Sequence, residues 1–92
     1  MMLNAAQIKK DWEKRGFSFG IWEDSPGQVW KDFVHDVYEI FMLAEGEVSV
    51  VLNEETIEAV FGEEIFIPAG SRHTVATSKQ GRSVWYYGYR ER

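Results

Sequence analysis

Short apolar runs separated by turn-forming residues fill the chain from residue 17 onward, and they recur about every ten positions. Residues 24–27, 45–46 and 53–55 contain the Gly, Pro, Asn or Ser that favour turns. About seven or eight short strands at this spacing are typical of an all-β sandwich or barrel. A chain of 92 residues has room for one such unit, so we predict a single domain over residues 1–92.

One short helix is predicted ahead of the strands, over residues 5–15. Asn4 is a favourable N-cap residue, and Gly16 is a natural terminator because glycine adopts the left-handed conformation without strain. Trp12 belongs to a narrow apolar stripe along one face of this helix. We therefore expect the helix to pack on a β-barrel that spans residues 17–90.

Two of the predicted strands are apolar on both faces. Residues 38–44 include one charged side chain, and residues 84–89 carry aromatic side chains on both faces. A strand that is apolar on both faces is usually buried on both. The second cover would be either the N-terminal helix or a partner subunit. Aromatic residues make up 15% of the chain, and one small core has little room to bury that much apolar surface. We therefore expect a homodimer whose interface buries the rest.

Composition excludes several classes of function. The net charge is −5, whereas nucleic-acid binding needs clustered Lys and Arg. The chain has no cysteine, so neither a disulfide framework nor thiolate chemistry is available. The apolar runs are too short for a transmembrane span, and the N-terminal residues lack the apolar stretch of a signal peptide. We therefore expect a cytoplasmic protein whose partner is a small-molecule ligand, with no binding to nucleic acid or membranes.

The only two histidines, His35 and His73, lie in separate stretches, and Glu39 follows the first by four residues. Imidazole is the commonest metal ligand, and two histidines with one carboxylate can form a facial triad that leaves open positions on a divalent ion. On one straight strand, however, His35 and Glu39 would stand about 13 Å apart. Sharing an ion therefore requires a bend between them, and Asp36 is a turn-tolerant residue at that point.

The spacing around the first histidine resembles the first sequence motif of the cupin superfamily, which is usually written G-x5-H-x-H-x3,4-E-x6-G. The residues at the motif positions are, in order, Gly27, Phe33, His35, Glu39 and Gly46. The spacing holds throughout, with phenylalanine in place of one histidine.

The second stretch resembles the second cupin motif, G-x5-P-x-G-x2-H-x3-N. The matching residues are Gly62, Pro68, Gly70 and His73, and Thr77 replaces the last asparagine. The chain is thus similar to small single-domain cupins of the conserved-barrel type. The resemblance implies a double-stranded β-helix, or jelly-roll barrel, that holds a divalent metal ion such as Zn, Ni, Mn or Fe.

Phe33 departs from the family pattern because its ring cannot bind a metal. It shares strand parity with His35, so we expect it in the same interior. The resemblance then implies a three-ligand site of His35, Glu39 and His73 that is open, weak or empty of metal. The further candidates for the pocket are Trp30, Phe41, Trp85 and Tyr87.

Each possible ligand also has a structural interpretation. Either histidine could serve a strand or a turn, and Glu39 could form a salt bridge with Arg72 or Arg82. Three functions stay open at this point: a metal-dependent enzyme acting on a small organic molecule, a metal-free binding or sensing module with a vestigial site, and a dimeric structural protein. The sequence names no catalytic residue and no reaction.

Overall fold

The computed structural model describes residues 3–91, so residues 1, 2 and 92 of the predicted domain lie outside the described part. Within that part, one helix precedes eight strands, in the predicted order. The helix α1 spans Ala5–Lys14, and the strands are β1 Gly20–Asp24, β2 Val29–Val34, β3 Tyr38–Glu45, β4 Val48–Leu52, β5 Glu55–Glu58, β6 Glu64–Ile67, β7 Arg72–Thr77 and β8 Ser83–Arg90.

The strands form two four-stranded sheets in which all neighbours pair antiparallel. One sheet has the order β1-β8-β3-β6, and the other has the order β2-β7-β4-β5. The chain passes from one sheet to the other at every connection except the β4–β5 hairpin. This winding is that of a jelly roll, so the predicted all-β fold with one short N-terminal helix is confirmed.

The two sheets enclose one apolar core. Phe41 on β3 and Trp85 on β8 enter it from the first sheet, and Val50 on β4 and Val75 on β7 enter it from the second. Period-two alternation along each strand produces this arrangement, since every second side chain faces the opposite sheet. Burying each of these side chains contributes about 1.5–3 kcal/mol before the entropy cost of ordering the chain. The interior of the jelly roll is therefore built mainly from apolar contacts between sheets.

Helix α1 covers the outer face of the first sheet. Trp12 is fully buried there against Ile40, Met42 and Tyr86, which lie on the outer sides of β3 and β8. The helix is therefore the second cover for the two strands that are apolar on both faces. Their pattern no longer requires a partner subunit, and the homodimer stays a prediction. Within residues 3–91, no helix has the length and apolarity that crossing a membrane requires.

Two boundaries differ from those predicted. The helix ends at Lys14, and Arg15 caps it because its amide donates to the carbonyl oxygens of Asp11 and Trp12. The first strand begins at Gly20 rather than at residue 17, because the Phe17 amide donates to the Trp12 carbonyl oxygen at 2.9 Å. That bond makes Phe17 part of the helix ending, and its ring is buried beneath α1 rather than in the barrel.

We expect Trp12→Ala to lower the free energy of unfolding by about 3–5 kcal/mol, because it leaves a large cavity between α1 and the sheet. Urea denaturation followed by far-UV circular dichroism measures this loss. Trp12→Phe, which keeps a ring but removes the indole N–H bond to Glu64 at 3.1 Å, should lose less. Trp22→Ala is the matched control, since that tryptophan is 42% exposed. Equal losses in the Trp12→Ala and Trp22→Ala variants would contradict the assigned packing.

Candidate metal centre

The first motif lies where the chain crosses between the two sheets. β2 ends at Val34 in one sheet, β3 begins at Tyr38 in the other, and His35 stands in the connection. This is the bend that a shared ion requires. It brings Nε2 of His35 to 3.5 Å from Oε1 of Glu39, although the two residues are four positions apart. The distance is far below the separation expected along one straight strand.

The second motif is tied to the first by a backbone hydrogen bond. The Gly70 amide donates to the carbonyl oxygen of His35 at 2.8 Å. Gly70 has a φ of 81°, a conformation that glycine adopts without strain and that lets the turn after Pro68 meet the crossing. The turn leads into β7, where Nε2 of His73 lies 3.5 Å from Oε1 of Glu39. Both histidines therefore approach the same carboxylate oxygen.

The Glu39 carboxylate is buried, and its Oε1 atom has no hydrogen-bond partner among the described residues. At 3.5 Å the two imidazole nitrogens lie beyond the usual range for a good hydrogen bond. The alternative of a salt bridge with arginine is not observed in the described part of the chain. Arg82 pairs with Glu23 and Glu45 instead. Burying an anion without hydrogen bonds costs free energy, and a cation or a ligand that contacts this oxygen would offset that cost.

His73 is oriented so that Nε2 faces Glu39. Its Nδ1 atom lies 3.2 Å from the carbonyl oxygen of Ser71, and a carbonyl can only accept, so Nδ1 carries the proton. In the neutral ring, Nε2 then has its lone pair free for a ligand, as in many metal-binding histidines. The Glu39 carboxylate raises the pKa of His73 above its ordinary value, and the bond to Ser71 adds to this, while burial acts in the opposite direction.

The donor set fits a divalent metal ion. One atom from each of His35, Glu39 and His73 lies within 4.8 Å of the others. A metal with bonds of about 2.1 Å holds donors about 3.0–3.4 Å apart at right-angled or tetrahedral geometry. The two distances of 3.5 Å to Oε1 are close to this spacing. Small side-chain adjustments would therefore let Nε2 of each histidine and Oε1 of Glu39 bind one ion.

Phe33 lies beside these donors, in the interior where its strand parity places it. It pairs directly with His73 across β2 and β7, and its ring is stacked on His35 with centroids 5.8 Å apart and an angle of 14°. A histidine at this position would have its ring next to the other two. Phe33 therefore replaces a donor with an apolar surface at the edge of the site.

His35, Glu39 and His73 line a pocket of about 240 Å³. All five predicted pocket residues line it: Trp30, Phe33, Phe41, Trp85 and Tyr87. Simple alternation would turn Trp30 and Phe33 to opposite faces, because they are three positions apart. A register shift in β2 between these two residues, typical of a β-bulge, lets both side chains face the pocket.

Sequence reasoning missed three lining residues, which are Trp22, Val75 and Tyr89. Tyr89 could have been found, because it continues the alternation of Trp85 and Tyr87 along β8. Trp22 gave no such signal, because its place in the pocket depends on contact with Trp30 in the other sheet. Burial, together with the nearby charge of Glu39, raises the pKa of Tyr89 to about 12. The Tyr89 hydroxyl therefore keeps its proton at neutral pH and can donate a hydrogen bond.

A second buried carboxylate supports the pocket wall. Asp24 at the end of β1 is 8% exposed and accepts a hydrogen bond from the indole nitrogen of Trp30 at 2.6 Å. Trp30 in turn meets Trp22 edge to face, with ring centroids 6.1 Å apart. The bond to Asp24 restricts the orientation of the Trp30 indole, so this side of the pocket is formed in advance of ligand binding.

Comparison with protein families gives one match, to the family described as "Cupin domain", over residues 20–87. The matched segment begins with β1 and includes both motifs. No curated protein sequence matches the chain.

Solved structures share the fold. The plu4264 protein of Photorhabdus luminescens is similar with a TM-score of 0.74 and 23% identity, over 84% of this chain and 64% of that one. The polyketide cyclase RemF of Streptomyces resistomycificus has a TM-score of 0.70 and 27% identity, over 79% of this chain and 53% of that one. The cupin domain of Schizosaccharomyces pombe Cnp3 has a TM-score of 0.76 and 17% identity, over 84% of this chain and 57% of that one. This chain thus spans less than two thirds of the length of each of these three.

In the protein without metal, the pKa of His73 should lie above the ordinary value of a histidine, because Glu39 favours the imidazolium. Glu39→Gln should lower that pKa, which NMR titration of the imidazole protons measures. Because the pKa of His73 is raised in the folded protein, its protonation stabilises the fold. This contribution is fully present at a pH below the pKa of the unfolded state, and it is lost as the pH rises through the pKa of the folded state.

The exposed Glu63 offers a control, because Glu63→Gln removes a carboxylate of the same type outside the site. That variant should leave the pKa of His73 unchanged. If Glu39→Gln and Glu63→Gln have the same small effect, the carboxylate of Glu39 does not act on His73 as described.

Proposed function

The chain belongs to the cupin family, and we propose that it binds one divalent metal ion through His35, Glu39 and His73 to act on a small organic molecule in the barrel. The observation that carries the proposal is the buried Oε1 of Glu39, which has no hydrogen-bond partner in the described residues and lies 3.5 Å from both Nε2 atoms. A divalent cation at this point would compensate the buried charge and use all three donors.

A bound divalent ion would supply Lewis-acid or oxygen-activating chemistry in the pocket. The residues of the chain would bind and orient the ligand there. His73 is held by the Ser71 carbonyl, Tyr89 offers a protonated hydroxyl, and aromatic side chains such as Trp30 and Trp85 line the pocket around the donors. Two imidazoles and a carboxylate suit Zn, Ni, Mn or Fe, and the donor set does not choose among them.

The comparison with RemF supports a catalytic role in a general way. RemF is a polyketide cyclase with 27% identity to this chain over about half of its own length. A barrel of this type can therefore serve an enzyme. Fold similarity does not choose a reaction, so the proposal names a metal-dependent site without naming the transformation.

Elemental analysis of the purified protein tests the proposal. We expect about one zinc, nickel, manganese or iron atom per chain, and loss of most of it in His73→Ala and in Glu39→Gln, because each variant removes one of three donors. Glu63→Gln, which changes an exposed carboxylate outside the site, should retain the metal. Metal at background level, with no micromolar binding of added ions, would contradict the proposal.

A second candidate function, a metal-free binding module, is favoured by one observation. Phe33 occupies a usual donor position, and its ring lies against both His35 and His73 with centroids less than 6 Å away. In that case the barrel would hold an apolar or aromatic ligand without an ion. Ligand affinity that is unchanged in a His35→Ala, Glu39→Gln double variant would favour this function over the first.

Phe33→His separates these two candidates further. It places an imidazole directly across from His73, so we expect metal affinity to rise by about tenfold or more through a fourth ligand. Titration with zinc in the presence of a competing chromophoric chelator measures the change. Phe66→His is the matched control, because Phe66 is an exposed ring on the outer face of β6. Equal zinc affinity in the Phe33→His variant and the unmodified protein would show that position 33 does not face the ion.

A further inference from the structure

The strand β1 leaves one of its two edges unpaired. It lies at the end of its sheet, and β8 is its only neighbouring strand within residues 3–91. The Ser18 amide donates to the Tyr89 carbonyl oxygen at 2.9 Å, in line with the register of these strands. In an antiparallel pair, every second residue bonds the neighbouring strand. Ile21 and Glu23 therefore direct their N–H and C=O groups away from β8, towards the free edge.

The other three edge strands carry features that protect an edge against pairing with another chain. β2 has the register shift between Trp30 and Phe33, two of the four residues of β5 are glutamates, and β6 has four residues and is followed by Pro68. In contrast, β1 keeps a regular register with β8 over its whole length and contains neither Pro nor Lys. Its central outer side chain, Ile21, is 56% exposed. The edge of β1 is therefore the one that is open to a further strand.

Exposed apolar side chains collect on this side of the molecule. Eight large apolar side chains are exposed in the described part of the chain, and five of them lie on β1 and β2: Ile21, Trp22, Val29, Phe33 and Val34. The two strands are edges of different sheets and lie side by side, since the rings of Trp22 and Trp30 are 6.1 Å apart. Apolar surface that stays exposed in this way marks an interaction site. The free edge of β1 is thus bordered by apolar surface on both sheets.

A second copy of the chain is complementary to this edge. When two β1 strands run antiparallel about a two-fold axis at Ile21, each Ile21 faces the other, and Phe19 faces Glu23 of the second copy. All three positions direct their backbone groups to the free edge, so the two strands can exchange hydrogen bonds along this segment. No like charges face each other in this register, whereas a register centred on Glu23 would oppose two carboxylates. The Glu23 carboxylate is also compensated by Arg82 at 2.8 Å.

We propose that two copies of this chain associate through antiparallel pairing of their β1 strands, centred on Ile21, so that two four-stranded sheets become one sheet of eight strands. Such a contact is isologous, because each copy contributes the same surface. It involves none of the three proposed metal ligands. The edge of a five-residue strand is about 17 Å long, which makes the interface smaller than a standard one. We therefore expect a dissociation constant on the order of 10 μM.

Sedimentation equilibrium over concentrations on both sides of this value tests the proposal. Ile21→Pro should weaken association by about tenfold or more, because it removes the central N–H donor from each copy. Proline is tolerated in an edge strand where the missing N–H faces solvent. Ile21→Lys keeps the N–H and should also weaken association, because it sets two cations opposite each other.

Thr56 on β5 provides the matched controls. The Ala59 amide donates to the Val48 carbonyl oxygen at 2.9 Å, so alternation turns the Thr56 N–H to the free edge of the other sheet. Thr56→Pro and Thr56→Lys should leave association unchanged. Amide hydrogen exchange followed by NMR gives a second measurement. In the dimer the amides of residues 21 and 23 should exchange slowly, and in Ile21→Lys they should exchange about tenfold or more faster, whereas the Trp22 amide, which bonds β8, should stay slow in both.

Two results would overturn the proposal. A monomer at every concentration would leave the edge of β1 to a strand of a different protein. A dimer that keeps its affinity in Ile21→Lys, with fast exchange of the residue 21 and 23 amides in the unmodified protein, would place the second copy on another surface. If circular dichroism shows that Ile21→Pro does not fold, Ile21→Lys and the exchange measurement decide between these outcomes. Metal content has no part in this test, so its result is independent of the proposed function.

Discussion

The site depends on one constraint, the crossing of the chain from β2 to β3 between the two sheets. This crossing changes a separation of four residues into a distance of 3.5 Å between His35 and Glu39. It is fixed from outside by the Gly70 amide, which donates to the His35 carbonyl oxygen. It is fixed from within by β3, whose next residues, Ile40 and Phe41, are almost fully buried on opposite faces of the sheet. Packing on both sides of the sheet therefore holds Glu39 in position.

Apolar packing of β3 holds the Glu39 carboxylate in place. The carboxylate can therefore stay at a position where its hydrogen-bonding capacity is not fully used. Glu39 is buried next to two imidazoles, and its Oε1 lacks a hydrogen bond among the described residues. Such an arrangement lowers stability in the absence of a cation and favours binding of one. The apolar aromatic side chains around it would then strengthen the electrostatic attraction, because they lower the local dielectric constant.

Much of the fold follows from local signals in the sequence. The two strands predicted over residues 38–44 and 84–89 match β3 and β8 to within one residue at each end, and Gly, Pro and Asn mark the turns. The bend after His35 was required by the distance argument and is present. Other features depend on non-local packing and left no such signal. The register shift that brings Trp30 beside Phe33 and the contact between Trp22 and Trp30 depend on how two sheets meet. The sequence also could not decide the alternative of an arginine partner for Glu39, because Arg82 pairs with two other carboxylates that only the fold brings near it.

A crystal structure of the protein grown with zinc, analysed at the zinc absorption edge, tests the central claim most directly. The account predicts one anomalous peak at about 2.0–2.2 Å from Nε2 of His35, Oε1 of Glu39 and Nε2 of His73, with Phe33 beside the ion but not bound to it. A peak elsewhere, or no peak while Glu39 accepts hydrogen bonds from both histidines, would contradict it.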